Sequence, residues 1–163
     1  MIVLVRIDDR LLHGQIALSW KSELGYEAIV IADDLVSGDE FRKNVLKLAV
    51  PNGVRLAVRT LDEATNLIKH EQLQKMKVLV IVASTKSARE FYNRIEEKPV
   101  LNIGGIQSSD GKRMFSRAVY FDDNDIENLD NIQASGVELM VQEIPGTSKF
   151  KYSDLRAKFK GGK

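Results

Sequence analysis

Between Asp8 and Gln15 the chain sets two carboxylates, an arginine and a histidine within six residues, then a glycine and an amide. Imidazole titrates near ~6.5, so His13 has a neutral, nucleophilic form at cell pH. Arg10, three residues upstream, can aim a planar cation at phosphate oxygens. Asp8 or Asp9 can accept the imidazole N–H, fix its tautomer and stabilise a phosphorylated ring. If a helix begins just behind His13, the backbone N–H groups near Gly14 and Gln15 are free to receive an anion. Phosphoryl transfer needs in-line placement and charge stabilisation, and this set supplies both. Each residue also has a plainer use. The Asp8–Asp9 pair suits a turn or cap, and a loop histidine is commonly a hydrogen-bonded structural residue.

The elements that must position this loop follow from the apolar pattern. Ile2–Ile7 reads as a strand, and 12–22 as a turn into a helix that Gly25 stops. Ala28–Ala32, Arg55–Val58 and Val78–Ala83 are further strands. Val100–Ile103, Arg117–Phe121 and Glu138–Ile144 complete the set. Between them run amphipathic stretches. Ser37-x-x-Glu40 predicts a capping box for a helix to about Val50, and Thr60-x-x-Glu63 another for a helix to about His70. Helices are also predicted over about Ser87–Glu96 and from Asp122 or Asp123 to about Ser135, with Gly136 as its stop. Alternating strands and helices predict a single α/β domain over 1–163, with a mostly parallel open sheet flanked by helices on both faces. Ligands of such sheets bind at the carboxyl ends of the strands. Four segments lie there: the His13 loop, Asp33–Asp34, Ser84–Thr85 and Gly104–Gly105. Ser84 and Thr85 suit a helix N-cap, but after a central strand they also face the expected cleft and are taken as phosphate-binding residues with Gly14 and Gln15. Trp20 reads as a packing residue, and His70, beside Lys69 and Glu71, as a solvated surface residue.

Composition removes several alternatives. The 163 residues are 44% hydrophobic and 29% charged, an ordinary globular balance. There is no cysteine, which excludes disulfides, zinc–cysteine sites, Fe–S clusters and thiol nucleophiles. Two histidines exclude a multi-histidine metal site. The longest apolar run, Val78–Ala83, is six residues, far short of a membrane span. No signal pattern opens the chain, so a cytoplasmic domain is expected. The net charge of +1 argues against a dedicated nucleic-acid binder. That sum hides a basic segment: residues 146–163 carry six basic and one acidic residue, net +5, against −4 for the rest. It is expected as a solvated helix (about Ser153–Lys160) with a frayed Gly-Gly-Lys end; its alternative is a docking surface for an acidic partner or a membrane face.

Three other function classes place different demands on the sequence. A phosphoacceptor receiver domain needs an aspartate ending its third strand and a lysine ending its fifth. Here those strands run into Arg59-Thr60 and Gly104-Gly105. A nucleotide-binding enzyme needs a Gly-rich phosphate loop, and neither G-x-x-x-x-G-K-[ST] nor G-x-G-x-x-G occurs in the right place. A non-catalytic binding or regulatory module stays open on pattern alone.

The segment Arg6-Ile7-Asp8-Asp9-Arg10-Leu11-Leu12-His13-Gly14-Gln15 closely resembles the active-site loop of the IIB components of the mannose/fructose/sorbose family of the bacterial sugar phosphotransferase system. Val30–Asp34, Arg42-Lys43, Ala49–Val54, Asn102–Gly105 and Ser116–Tyr120 match too, in order, from residue 1 to about 145. The resemblance implies a phosphocarrier, working without metal or organic cofactor. His13 would take phosphoryl from a phosphohistidine of a IIA protein, at Nδ1, and pass it to a sugar held by membrane IIC and IID components. Arg10 corresponds to the family's loop arginine and Asp8 to its loop aspartate. It implies a cytoplasmic phosphotransferase, transiently held at the membrane's inner face by the permease components, with IIA a separate polypeptide since 163 residues leave no room for it. Other IIB families carry phosphate on cysteine; this chain has none, which leaves histidine.

Overall fold

The computed structural model describes residues 1–159. Seven strands form one sheet: β1 (Ile2–Asp8), β2 (Ala28–Ala32), β3 (Arg55–Arg59), β4 (Val78–Val82), β5 (Leu101–Gly105), β8 (Leu139–Val141) and β9 (Phe150–Lys151). Their order is β3-β2-β4-β1-β5-β8-β9, parallel throughout except for β9, which runs antiparallel to β8. The inner strands are buried on both faces, so their sequences are continuously apolar (AIVIA, VLVIV).

Side-chain alternation divides the core in two. On one face Leu4, Ile29, Ile31, Leu79 and Ile81 pack against α1 (Gly14–Leu24) through Ile16, Ala17 and Trp20. On the other, Val5, Ile7, Val80 and Ile103 pack against α4 (Leu61–Ile68), α6 (Thr85–Asn93) and α7 (Asp123–Ala134). The chain leaves β1 over the first face toward β2, and leaves β5 by way of α7 on the second face toward β8, on the other side. These opposite departures open a crevice at the carboxyl ends of β1 and β5.

Several local expectations needed correction. The box at Ser37–Glu40 does not form. The segment is two helices, α2 (Asp34–Ser37) and α3 (Glu40–Leu48), capped by Asp33 and Asp39, which accept from Val36 N (2.9 Å) and Arg42 N (3.1 Å). An ionised carboxylate outcompetes a hydroxyl for first-turn N–H groups, and the Ser37 hydroxyl donates to Asp34 O instead. The Thr60–Glu63 box does form, and Asp122 with Asp125 makes a second. His70 is exposed and precedes a single helical turn, α5 (Glu71–Gln74).

Arg117–Phe121 is not a strand of the main sheet. Arg117 and Ala118 form the turn of a hairpin between β6 (Arg113–Ser116) and β7 (Val119–Phe121). The basic segment forms the expected helix with its described lysines exposed, but it is anchored to the body. β9 extends the sheet edge, and α8 (Tyr152–Lys158) buries Tyr152 completely against Phe115, ring centroids 5.5 Å apart. The expected end of that helix at Lys160 and the Gly-Gly-Lys terminus lie outside the described residues.

Candidate active site

Period-two alternation along β1 sends Leu4, Arg6 and Asp8 to the α1 face, while Val5 and Ile7 enter the opposite core. Arg6 and Asp8 are therefore neighbours on one face, and both are 1% exposed. Arg6 Nη2 donates to Asp8 Oδ2 at 3.0 Å. Arg6 stands opposite Asn102 in the parallel ladder with β5, and Arg6 Nη1 donates to Asn102 Oδ1 at 2.7 Å. Asn102 Nδ2 in turn donates to Gln142 O at 3.0 Å. Gly104 lies two positions on: a Cβ there would stand 2.1 Å from the guanidinium, so only glycine leaves it room. The Trp20 ring lies 5.7 Å from the guanidinium carbon, a cation–π contact from the first helix. Burial lowers the Arg6 guanidinium from its ordinary value, and Asp8 opposes that shift.

After Asp8 the chain turns sharply. Arg10 N donates to Asp8 Oδ1 at 3.0 Å and Leu11 N to Asp8 O at 2.9 Å. Leu11 sits in the left-handed region at φ 61°, uncommon for a non-glycine residue. Such backbone costs on the order of 1–3 kcal/mol. The Leu11 side chain, 1% exposed in the α1-face core, offsets it, since burying a leucine contributes about 1.5–3 kcal/mol. The strain delivers His13 to the N-cap position of α1, with extended backbone and no cap bond from its side chain. His13 Nε2 instead meets Asp8 Oδ2 at 3.3 Å. An ionised carboxylate can only accept, so the contact suits a proton on Nε2, and in the neutral ring that tautomer leaves the lone pair on Nδ1. His13 is 28% exposed. Gly14 and Gln15 are exposed, no acid stands in the first turn of α1, and the leading N–H groups have no helical acceptor.

Of the sequence-predicted residues, the structure brings together His13, Asp8, Arg10, Gly14 and Gln15. Between Asp8 and Asp9 it favours Asp8 as the carboxylate that meets His13, because Asp9 Oδ2 accepts from Gln107 N at 2.7 Å. Arg10 is exposed and, with Asp8 and Gly105, lines a cavity of about 430 Å³ at the crevice. Ser84 and Thr85 are not brought there. They open α6 on the other face of the sheet, where Ser84 Oγ accepts from Ser87 N and Thr85 donates to Asp125 Oδ1 at 2.5 Å. Two side chains around the crevice were missed. Arg6 carried a signal, a charged residue inside an otherwise apolar central strand. Arg117, which lines the same cavity from the hairpin turn, carried none, because it read as part of a strand. Among the described residues no cluster of three or more His, Asp or Glu is placed to hold a metal ion.

Fold and site define an open-sheet α/β domain with one histidine anchored to a buried carboxylate at its switch point. The chain belongs to the family described as the PTS system sorbose subfamily IIB component, whose model matches residues 2–161, and it is a IIB component of a sugar phosphotransferase system. It is 29% identical to the N-acetylgalactosamine-specific phosphotransferase enzyme IIB component 1 of Escherichia coli K12, over 94% of this chain and 97% of that one. It is 32% identical to the sorbose-specific EIIB component of Klebsiella pneumoniae, over 88% and 87%. The mannose-specific EIIAB component of E. coli K12 is 30% identical over 97% of this chain, which spans 49% of that longer protein. The crystal structure of the IIBSor domain of the K. pneumoniae sorbose permease superposes with a TM-score of 0.92 at 28% identity, covering 98% of both chains.

Proposed function

We propose that His13 is the phosphoryl carrier of this IIB component. The observation that carries the reading is the 3.3 Å contact of His13 Nε2 with Asp8, which leaves Nδ1 as the free nucleophilic nitrogen. A phosphohistidine on a IIA protein presents its phosphorus to Nδ1. The new P–Nδ1 bond forms as the donor's P–N bond breaks, while the proton stays on Nε2, donated to the Asp8 carboxylate, which balances the charge of the phosphorylated ring. Arg10 and the first N–H groups of α1, near Gly14 and Gln15, meet the equatorial oxygens. In the second step a sugar hydroxyl attacks the phosphorus, the P–Nδ1 bond breaks, and the hydroxyl proton leaves to water.

The sugar is held by membrane IIC and IID components, which bring this domain transiently to the membrane's inner face. Two features support that division of labour. Among the described residues no helix is long and apolar enough to cross a membrane. Relatives covering nearly the whole chain carry different sugars in their names, N-acetylgalactosamine and sorbose, which is consistent with one phosphocarrier fold serving systems of different sugar choice.

The test is incubation with a phosphorylated IIA protein, followed by location of the label. Acid-labile phosphate is expected on His13, at Nδ1 by NMR of the phosphorylated ring, and not on His70. Label retained by a folded His13→Ala protein, or found at Nε2, overturns the reading.

A further inference from the structure

Arg6 has no part in the transfer steps above, yet with Asp8 it is the most deeply enclosed charge among the described residues, each 1% exposed. Asp8 Oδ2 receives two donors of different kinds: Arg6 Nη2 at 3.0 Å and His13 Nε2 at 3.3 Å. A buried carboxylate without a matched charge draws a proton onto a neighbouring imidazole, because the ion pair is then the only way to satisfy it. Such a proton would occupy the lone pair that nucleophilic attack requires. A guanidinium does not titrate in the working range, so it matches the charge permanently. The surroundings of Arg6 fix it in that task. Asn102 Oδ1 holds Nη1 at 2.7 Å, Trp20 covers the face, and the missing Cβ of Gly104 makes the space.

We propose that Arg6 is a positioning residue that neutralises Asp8 in advance, so that Asp8 orients the His13 ring without protonating it. The inference deepens the carrier reading and takes its significance from it. Other charges face the group. Asp9 and Arg10 come from the same loop, Arg117 lines the crevice from the hairpin turn, and Glu143 follows β8 and acts on Arg6. The first turn of α1 contributes no acid. All of these stay constant when Arg6 or Asn102 is changed.

The experiment is an NMR pH titration of the histidine rings in the full chain, without any phosphodonor, with exposed His70 as the internal reference. Arg6→Met removes the charge. Asn102→Asp keeps the shape and adds a carboxylate that competes with Asp8 for the same guanidinium. Both are expected to move the His13 titration midpoint upward by roughly one unit or more, the effect of an unmatched charge at contact distance, with His70 unmoved. The acid limb of phosphoryl acceptance should move upward in parallel. A His13 midpoint that stays at the wild-type value in folded Asn102→Asp protein overturns the proposal. That variant decides the matter if Arg6→Met does not fold. A wild-type protein that accepts no phosphoryl group on His13 sinks the carrier reading instead, and the titration still reports on Arg6.

Discussion

At the scale of single residues, the site is a stack of dependencies that starts below the surface. His13 is oriented by Asp8, Asp8 is held by Arg6, and Arg6 needs the space that Gly104 leaves. Arg10 differs from these because its side chain is exposed. Arg10→Ala should therefore leave thermal unfolding nearly unchanged, within about 0.5 kcal/mol for a surface substitution, while transfer slows at least tenfold. Parallel denaturation and phosphoryl-transfer rates check both halves, and unchanged transfer would remove Arg10 from the mechanism. Gly104→Ala should behave oppositely. Its Cβ would lie 2.1 Å from the guanidinium, and displacing Arg6 from Asp8 costs on the order of 3 kcal/mol, as breaking a buried ion pair does. Urea denaturation should show a lower midpoint.

At the scale of elements, a second polar cluster joins α6, α7 and the loop before β6. Thr85 donates to Asp125 Oδ1, Lys112 Nζ to Asp125 Oδ2 at 2.7 Å, and Asn128 Nδ2 to Thr85 at 3.2 Å. Burial alone pushes the Asp125 carboxyl up. The bonds from Lys112, Thr85 and the Asp122 backbone outweigh it and hold the group below the ordinary value. A carboxyl depressed in the folded state contributes stability above its unfolded value, near ~3.9, and loses it as pH falls through the folded value. Asp125→Asn should thus destabilise by about 1.5–3 kcal/mol at pH 7, as loss of hydrogen bonds to a charged group does. The deficit should shrink as pH falls below about 4. Chemical denaturation of both proteins at several pH values reads this directly; a deficit independent of pH would show that the charge is not involved.

At the scale of the whole molecule, the described part of the basic C-terminal segment, as far as Phe159, is tied to the packed body. Tyr152 is fully buried and its hydroxyl donates to Asp130 Oδ1 at 2.8 Å. The Arg156 guanidinium meets the same carboxylate at 3.2 Å. Phe115 lies between Tyr152 and Phe159, joining the hairpin to the last helix. Tyr152→Ala should cost about 3–5 kcal/mol, the usual range for removing a large buried aromatic ring. Thermal unfolding measures it, and a loss below about 1 kcal/mol would restore the picture of a solvated tail.

The sequence by itself determined the class of fold and which loop is proposed to carry the chemistry. Continuous apolar strands and period-matched helices are local properties, and Asp8, Arg10, His13 and Gly14 are close in space because they are close in the chain. The Thr60 cap was legible for the same reason, since its partner is three residues away. What was not legible depends on long-range pairing. Which aspartate orients His13 was decided by Gln107, 98 residues from Asp9. Arg6 acquired its meaning from Asn102, 96 residues away across the β1–β5 ladder. Ser84 and Thr85 were drawn away from His13 by strand alternation and by Asp125, 40 residues on from Thr85. The hairpin that brings Arg117 to the crevice and the docking of Tyr152 arise the same way. Composition and spacing record what neighbours in the chain can do; which distant groups satisfy a buried charge is settled only when the sheet order places them on one face.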